Sequence, residues 1–381
     1  MAKYKLGDIC EIVSGSTPKT GIDEYWDGDV KWITPAELND DTYIINDSVR
    51  KITELAVKKT GLSPFPEGTV ILSSRAPIGK VAIAGCKMYC NQGFKNLICS
   101  EKIKNKYLYW FLKSNTDYLK SLGRGATFKE ISKGIVSEIE INVPEIRKQV
   151  ETVAILEKVS EVIALRKQEL GALDNLIKAR FVEMFGDQEY EKKRLIELIQ
   201  EGAGLSYGIV VPGDNVKDGI PMIRPSDFKN GSLSLDNVYR VASEIECKYK
   251  KTRLFGDEIL VQVIGQPGQV MLSNERCKGM NVTRNLAVIR IDKDKANRLF
   301  ISHYLSTEEA QFFMFGSTNQ STLKQLPLNK LKELPIPIVP VSKQNQFADF
   351  VNQVDKSKVV VQKALDETKL LFDSLMQKYF G

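Results

Sequence analysis

The stretch Glu145–Gly186 constrains this chain more than any other. Leu156, Ile163, Leu170, Ile177 and Met184 recur every seven residues, and Val159 and Leu173 follow two of them by three positions. Apolar residues at that spacing share one stripe of a helix and form a seam suited to a partner helix. Pro144 precedes the run, which contains no internal proline to break it. About 42 residues at ~1.5 Å each give a rod of roughly 60 Å, longer than the helices of ordinary globular domains. Gly171, its one interior glycine, costs about 1 kcal/mol relative to alanine and leaves the helix standing.

The rod recurs at the end of the chain. Lys343, Gln344, Val354, Leu365, Leu371, Phe380 and Gly381 stand there as Lys148, Gln149, Val159, Leu170, Leu176, Phe185 and Gly186 stand in the first copy. Val354, Val361 and Leu375 keep the seven-residue register, with Thr368 as the one polar interruption. The chain is therefore a tandem duplication in the order globule, rod, globule, rod.

The two globules repeat as well. Trp32-Ile33-Thr34-Pro35-Ala36-Glu37-Leu38 is matched by Met222-Ile223-Arg224-Pro225-Ser226-Asp227-Phe228, and Gly68–Val81 by Gly256–Val270. Within the latter, Gln266-Pro267-Gly268-Gln269-Val270 replaces Pro77-Ile78-Gly79-Lys80-Val81. Asn91-Gln92 is aligned with Asn281-Val282, Asn96-Leu97 with Asn285-Leu286, and Thr127–Ile131 with Thr322–Leu326. In the first globule, Tyr25–Asp29 reads as a turn before a strand over Val30–Thr34. Gly68–Arg75 and Lys80–Ala84 read as the arms of a hairpin, and Lys106–Leu119 as one core-facing amphipathic helix.

These patterns give an α+β chain of two tandem α/β globules separated by two long helices. A second rod that returns toward the first globule must run antiparallel to the first, giving an antiparallel coiled coil and a dumbbell with a pseudo-two-fold axis. Such a molecule carries two similar but non-identical surfaces. Duplex DNA with two separated half-sites offers matching surfaces, as does a partner with two polar segments.

Composition excludes several classes. A length of 381 residues allows two or three domains with cores of their own. No apolar run approaches the ~20 residues that cross a bilayer, and the N-terminus has no apolar signal core, so a cytoplasmic protein without membrane contact is expected. The cysteines Cys10, Cys86, Cys90, Cys99, Cys247 and Cys277 are scattered, and no second pair or histidine cluster completes a zinc site around Cys86 and Cys90. No metal site is expected. A net charge of +6 permits nucleic-acid binding without establishing it.

Catalytic signatures are missing too. His303 is the only histidine, and in an amphipathic segment it reads as a core or surface filler. There is no phosphate-cradling P-loop, no dinucleotide-type glycine turn after a strand, and no Asn/Asp-Pro-Pro-aromatic tetrapeptide of an amino-methyltransferase. No catalytic residue is assigned.

Leu6-Gly7-Asp8 with Ser14-Gly15-Ser16-Thr17-Pro18 is followed by Trp32-Ile33-Thr34-Pro35, Ser73-Ser74-Arg75-Ala76-Pro77-Ile78-Gly79 and Asn91-Gln92-Gly93-Phe94. These residues, in this order, carry a resemblance of the whole chain to the specificity (S) subunit of type I restriction–modification systems. The rod opening Pro144-Glu145-Ile146-Arg147-Lys148-Gln149 and its close Phe185-Gly186 complete it. The second globule departs from the pattern, with Ile264 near the place of Arg75.

The resemblance implies target-recognition domains at 1–143 and 187–339, a central conserved helix at 144–186 and a C-terminal one at 340–381. It implies a non-catalytic subunit in which each domain reads one half of a bipartite double-stranded DNA target. The helices would set the unread spacer and dock two methyltransferase (M) subunits, with endonuclease–translocase (R) subunits joining. S-adenosylmethionine, ATP and magnesium would belong to those partners, leaving this chain without a cofactor.

DNA readers are drawn from cationic and amide or hydroxyl side chains on loops. They are Arg75, Lys80, Arg124, Thr127 and Lys129 in the first globule. In the second they are Arg224, Gln266, Gln269, Asn319, Gln320 and Lys324. Asn91, Gln92 and Trp32 read as framework. The coiled-coil seam comprises Leu156, Val159, Ile163, Leu170, Leu173 and Ile177 with Val354, Val361, Leu365 and Leu375. The competing reading is a coiled-coil scaffold that joins two protein partners without binding DNA.

Overall fold

A computed structural model describes residues 2–75, 77–125, 129–186, 188–229, 232–316 and 325–381. The chain divides into two units. Unit 1 is Met1–Gln168 with Gln362–Gly381, and unit 2 is Glu169–Val361.

In unit 1 a five-stranded sheet has the order Cys10–Ser14, Phe94–Cys99, Val70–Ser73, Val81–Ala84, Ile44–Ile45. A three-stranded sheet sets Trp26–Ile33 between Lys51–Ile52 and Tyr89–Cys90. Ala2–Lys5 pairs antiparallel with Glu140–Val143, closing the globule just before the long helix. In unit 2 the matching four-stranded sheet runs Ser206–Tyr207, Leu286–Ile289, Ile259–Gln262, Val270–Leu272. Its three-stranded sheet sets Ile220–Ile223 between Tyr239–Val241 and Asn281–Val282, and Lys192–Arg194 pairs with Pro335–Pro337.

The hairpins agree with the sequence reading. Leu72 opposes Val81 and Val261 opposes Val270, which equates Lys80 with Gln269. Both hairpins turn through a glycine at positive φ, Gly79 at 93° and Gly268 at 94°, a conformation that only glycine adopts without strain. Thr34 and Arg224 both cap the short 3-10 turns that follow, through Glu37 and Asp227 three residues on.

Two alignments between the globules are corrected. Ile33 pairs with Cys90 and Ile223 with Val282, so Asn91-Gln92 corresponds to Thr283-Arg284 rather than to Asn281-Val282. Val70 opposes Leu97 and Ile259 opposes Ile289, so Asn96-Leu97 corresponds to Val288-Ile289 rather than to Asn285-Leu286. Matching letters favoured the wrong register, whereas ladder hydrogen bonds set the true one.

Tyr25–Asp29 is not a turn before a strand. Trp26–Ile33 is one strand with a bulge between Trp26 and Val30. Asp27 has φ 59°, and a Cβ on Gly28 would lie 2.6 Å from the Ile52 carbonyl oxygen. Lys106–Leu119 is two helices, Asn105–Ser114 and Thr116–Ser121, broken at Asn115. The first faces the core as expected, with Tyr107 to Leu112 all buried.

The long helices span Ile146–Phe185 and Val341–Phe380. In unit 1 Leu156 shares a core with Met376, while Arg166, further along, donates to the Ala364 carbonyl and Thr368 hydroxyl. In unit 2 Asp174 meets Lys358 at 2.6 Å, and Ile177 shares a core with Val354. Ascending positions on one helix meet descending positions on the other, so the helices pair antiparallel within each unit.

Of the seam residues, Leu156, Ile177, Val354 and Leu365 are buried. Val159, Ile163, Leu170, Leu173, Val361 and Leu375 are half-buried. Leu156, Ile177 and Val354 belong to the cores that include globule residues, where each buried aliphatic contributes roughly 1.5–3 kcal/mol. In unit 2 Phe181, Phe185, Phe300 and Phe347 weld helix to globule, with ring centroids 5.0 to 5.7 Å apart.

Candidate nucleic-acid interface

Arg75 and Lys80 flank the hairpin turn of unit 1. Ser73 organises that turn: its hydroxyl donates to the Pro77 carbonyl (2.7 Å) and accepts from the Lys80 N–H (2.8 Å). Arg75 is bridged by its backbone to Glu130, and its guanidinium lies 3.4 Å from the same carboxylate. Arg124 is bridged to Glu130 through reciprocal backbone hydrogen bonds of 3.0 and 2.9 Å. Exposed Lys129 is the neighbouring residue.

Arg75 thus sits on the Glu130 carboxylate, while Arg124 adjoins Glu130 through the backbone and Lys129 by chain position. The same carboxylate takes a further cation that the sequence reading missed. Lys95 is 6% exposed, with its ammonium 3.2 Å from Glu130 and 3.3 Å from the Ser74 hydroxyl. A lysine inside the apolar strand Phe94–Cys99 was the available signal, since a charge there requires a partner. The Arg75 Nε is buried without a hydrogen-bond partner among the described residues. Cations outnumber the carboxylate, and the cluster suits an anionic surface.

Two candidates are engaged inside the chain. The Lys80 ammonium reaches back to the Pro35 carbonyl at 3.3 Å and to the Leu38 carbonyl. Arg224 is bound by Asp227 through Nη2–Oδ1 at 2.8 Å and Nε–Oδ2 at 3.2 Å. The side-chain hydrogen bond to Asp227 raises the pKa of the guanidinium further. Arg224 thereby serves the cap of the turn that follows it.

Gln266 and Gln269 are exposed on the hairpin turn of unit 2, joined by a hydrogen bond of 3.0 Å from Gln269 Nε2 to Gln266 Oε1. They border an open cleft of about 750 Å³ whose walls include Ser226, Phe228, Gln262, Met271 and Ser306. Gln262 had not been singled out in the sequence. Its side chain closes the turn by donating to the Ile264 carbonyl at 2.9 Å. Thr127, Asn319, Gln320 and Lys324 lie outside the described residues.

The framework residues hold loops in place. Trp32 is buried and donates its indole N–H to the Ser16 carbonyl at 3.0 Å. Asn91 accepts from the Gly93 N–H at 2.9 Å, and Gln92 accepts from the Thr17 hydroxyl. His303 packs edge-on against Phe347 with centroids 5.2 Å apart, and burial lowers its pKa. Burial likewise pushes the Cys90 thiol up to about 12. Among the described residues no group of His, Cys, Asp and Glu side chains could hold a metal, and no helix is long and apolar enough to cross a membrane.

A duplicated globule with divergent polar turns, joined to long paired helices, defines a class of two-module recognition proteins. Residues 1–175 and 189–368 match the type I restriction modification DNA specificity domain. The chain belongs to that family of type I restriction–modification specificity subunits. It is 30% identical over 402 aligned residues to the type I restriction enzyme MjaIX specificity subunit of Methanocaldococcus jannaschii, covering 98% of this chain and 91% of that one. It is 23% identical to the EcoprrI specificity subunit of Escherichia coli, over 92% of this chain and 86% of that one.

Among solved structures, a chain from work on complex assembly and conformational transition of the type I R-M system superposes with a TM-score of 0.63 at 18% identity. The match covers 100% of this chain and 97% of that one. The S subunit from M. genitalium matches with a TM-score of 0.55 at 13% identity, over 100% and 96% of the two chains. These likenesses show a shared fold.

Proposed function

We propose that this chain is the DNA-reading, non-catalytic subunit of a cytoplasmic type I restriction–modification complex. Its target-recognition domains, residues 1–143 and 187–339, each read one half of a bipartite duplex target. Arg75, Arg124, Thr127 and Lys129 make contacts in the first domain, and Gln266, Gln269, Asn319, Gln320 and Lys324 in the second. Lys80 and Arg224 support the turns from which those contacts are made.

The conserved helices at 144–186 and 340–381 set the unread spacer and carry the docking surfaces for two methyltransferase subunits, which endonuclease–translocase subunits join. Exposed apolar side chains on the helices support a covered surface: Ile155, Leu165 and Leu370 in unit 1, and Leu176, Val182 and Val359 in unit 2. S-adenosylmethionine, ATP and magnesium act on those partners. The observation that carries the reading is one hairpin turn, built twice by the same hydrogen bonds, with a cationic cluster in one copy and an amide pair in the other.

The test is DNA binding by the chain co-purified with its methyltransferase subunits, followed as salt is raised. A phosphate-contacting complex loses affinity steeply and log-linearly. Co-purification without any salt-dependent DNA binding favours a coiled-coil scaffold joining two protein partners.

A further inference from the structure

The two hairpin turns are the same backbone with different occupants. Gly79 donates its N–H to the Ser73 carbonyl at 3.0 Å, and Gly268 to the Gln262 carbonyl at 2.8 Å. Pro77 and Lys80 therefore stand where Gln266 and Gln269 stand. In unit 1 the Lys80 side chain lies across the turn onto the carbonyls of Pro35 and Leu38. In unit 2 the equivalent residues, Pro225 and Phe228, line the open cleft, because Gln269 bonds to Gln266 instead.

That bond fixes what the amide pair presents. Gln269 uses a donor and Gln266 an acceptor, which leaves the Gln266 NH₂ and the Gln269 carbonyl with no hydrogen bond among the described residues. Turning both amides over exchanges the two roles and still leaves one donor beside one acceptor. In the major groove the adenine edge offers one acceptor, N7, and one donor, the N6 amino group, whereas guanine offers two acceptors. The apolar side of the cleft, Phe228, Val270 and Met271, suits the thymine C5-methyl of the same base pair.

We infer that Gln266 and Gln269 together read one A·T pair in the half-site of unit 2, and that unit 1, with Pro77 and Lys80 at those places, has no such reader. This rests on the DNA-reading function proposed above.

The experiment is methylome sequencing of cells that express the full complex with Gln266→Ala, Gln269→Ala or both. Its counterpart carries Pro77→Gln with Lys80→Gln. Co-purification with the methyltransferase subunit confirms that each variant assembles. The expected result is loss of discrimination at one A·T position of one half-site, by about 5-fold to about 150-fold, with the other half-site and the spacer unchanged. The unit 1 variant is expected to add an A·T preference to the opposite half-site.

A half-site without any A·T pair overturns the inference, as does an unchanged motif. So does a uniform fall in methylation with every base preference intact, which would mark the amides as supports for the turn. A methylome that does not depend on this chain at all sinks the proposed function itself, a distinguishable outcome.

Discussion

Gln149 and Gln344 fasten the two long helices to their globules by the same buried amide. Gln149 accepts from the Lys104 N–H at 2.8 Å and donates to the carbonyls of Lys102 (3.0 Å) and Pro144 (2.9 Å). Gln344 accepts from the Asn297 N–H at 2.8 Å and donates to the Val339 carbonyl at 2.8 Å. Each joins the first turn of a long helix to the residue that opens or caps the short helix of its own unit.

Gln149→Leu strands the buried Pro144 carbonyl and removes the partner of the part-buried Lys104 N–H and Lys102 carbonyl, so a loss of about 2–4 kcal/mol is expected, from ~1–3 kcal/mol for the buried group and less for each group that water can reach. Trp26, Trp32 and Trp110, all the tryptophans of the chain, lie in unit 1. Tryptophan fluorescence during urea unfolding therefore reads this variant directly. An unshifted midpoint would contradict the latch.

Thr368, the polar break in the second seam, is taken up by Arg166, and its hydroxyl also donates to the Ala364 carbonyl at 2.7 Å. Arg166→Met and Thr368→Val are expected to couple by about 0.5–1.5 kcal/mol in a double-mutant cycle. The double variant should stay within about 1 kcal/mol of the parent, since a polar pair inside a seam is replaceable by well-packed apolar side chains. Additive single effects would show that the two residues act separately.

His303 gives unit 2 a pH dependence on the acid side. Burial lowers its pKa from the ordinary 6.5, so above that value both folded and unfolded chains hold it neutral. As pH falls below 6.5 the unfolded chain takes up the proton first, and stability declines until the folded pKa is passed. Asp355 and Asp174 oppose the shift and Lys358 adds to it. The slope of melting temperature between pH 7 and the folded pKa should flatten in His303→Gln. An unchanged slope would assign the effect to other groups.

The sequence made the helices legible because a seven-residue apolar repeat survives any local environment. The caps Thr34/Glu37 and Arg224/Asp227 went unread, although their spacing of three was in the sequence, and Arg224 was assigned to DNA instead. Lys95 was hidden because its partner Glu130 is 35 residues away. The open cleft was hidden for another reason: it depends on Lys80 lying across one turn while Gln269 leaves the other uncovered. Asn91-Gln92 and Asn96-Leu97 were misaligned because identical letters carry no information about which carbonyl a strand residue bonds.

Adding about one helical turn, roughly four residues, to both long helices tests the proposed role of their length. Gly171 suits the first insertion, since a Cβ there would meet nothing, and exposed Asp366 the second. The expected methylated motif keeps both half-sites and changes its spacer. Changed half-site bases with an unchanged spacer would refute the role.

The central claim, that two recognition domains each specify one half of a bipartite target, is tested most directly by one domain exchange. Residues 187–339 are replaced by the corresponding domain of another specificity subunit, and the host methylome is sequenced. The account predicts a motif of two unlike halves that disappears when this chain is deleted and changes in one half only on the exchange. A methylome indifferent to the deletion, or an exchange that alters both halves together, would contradict it.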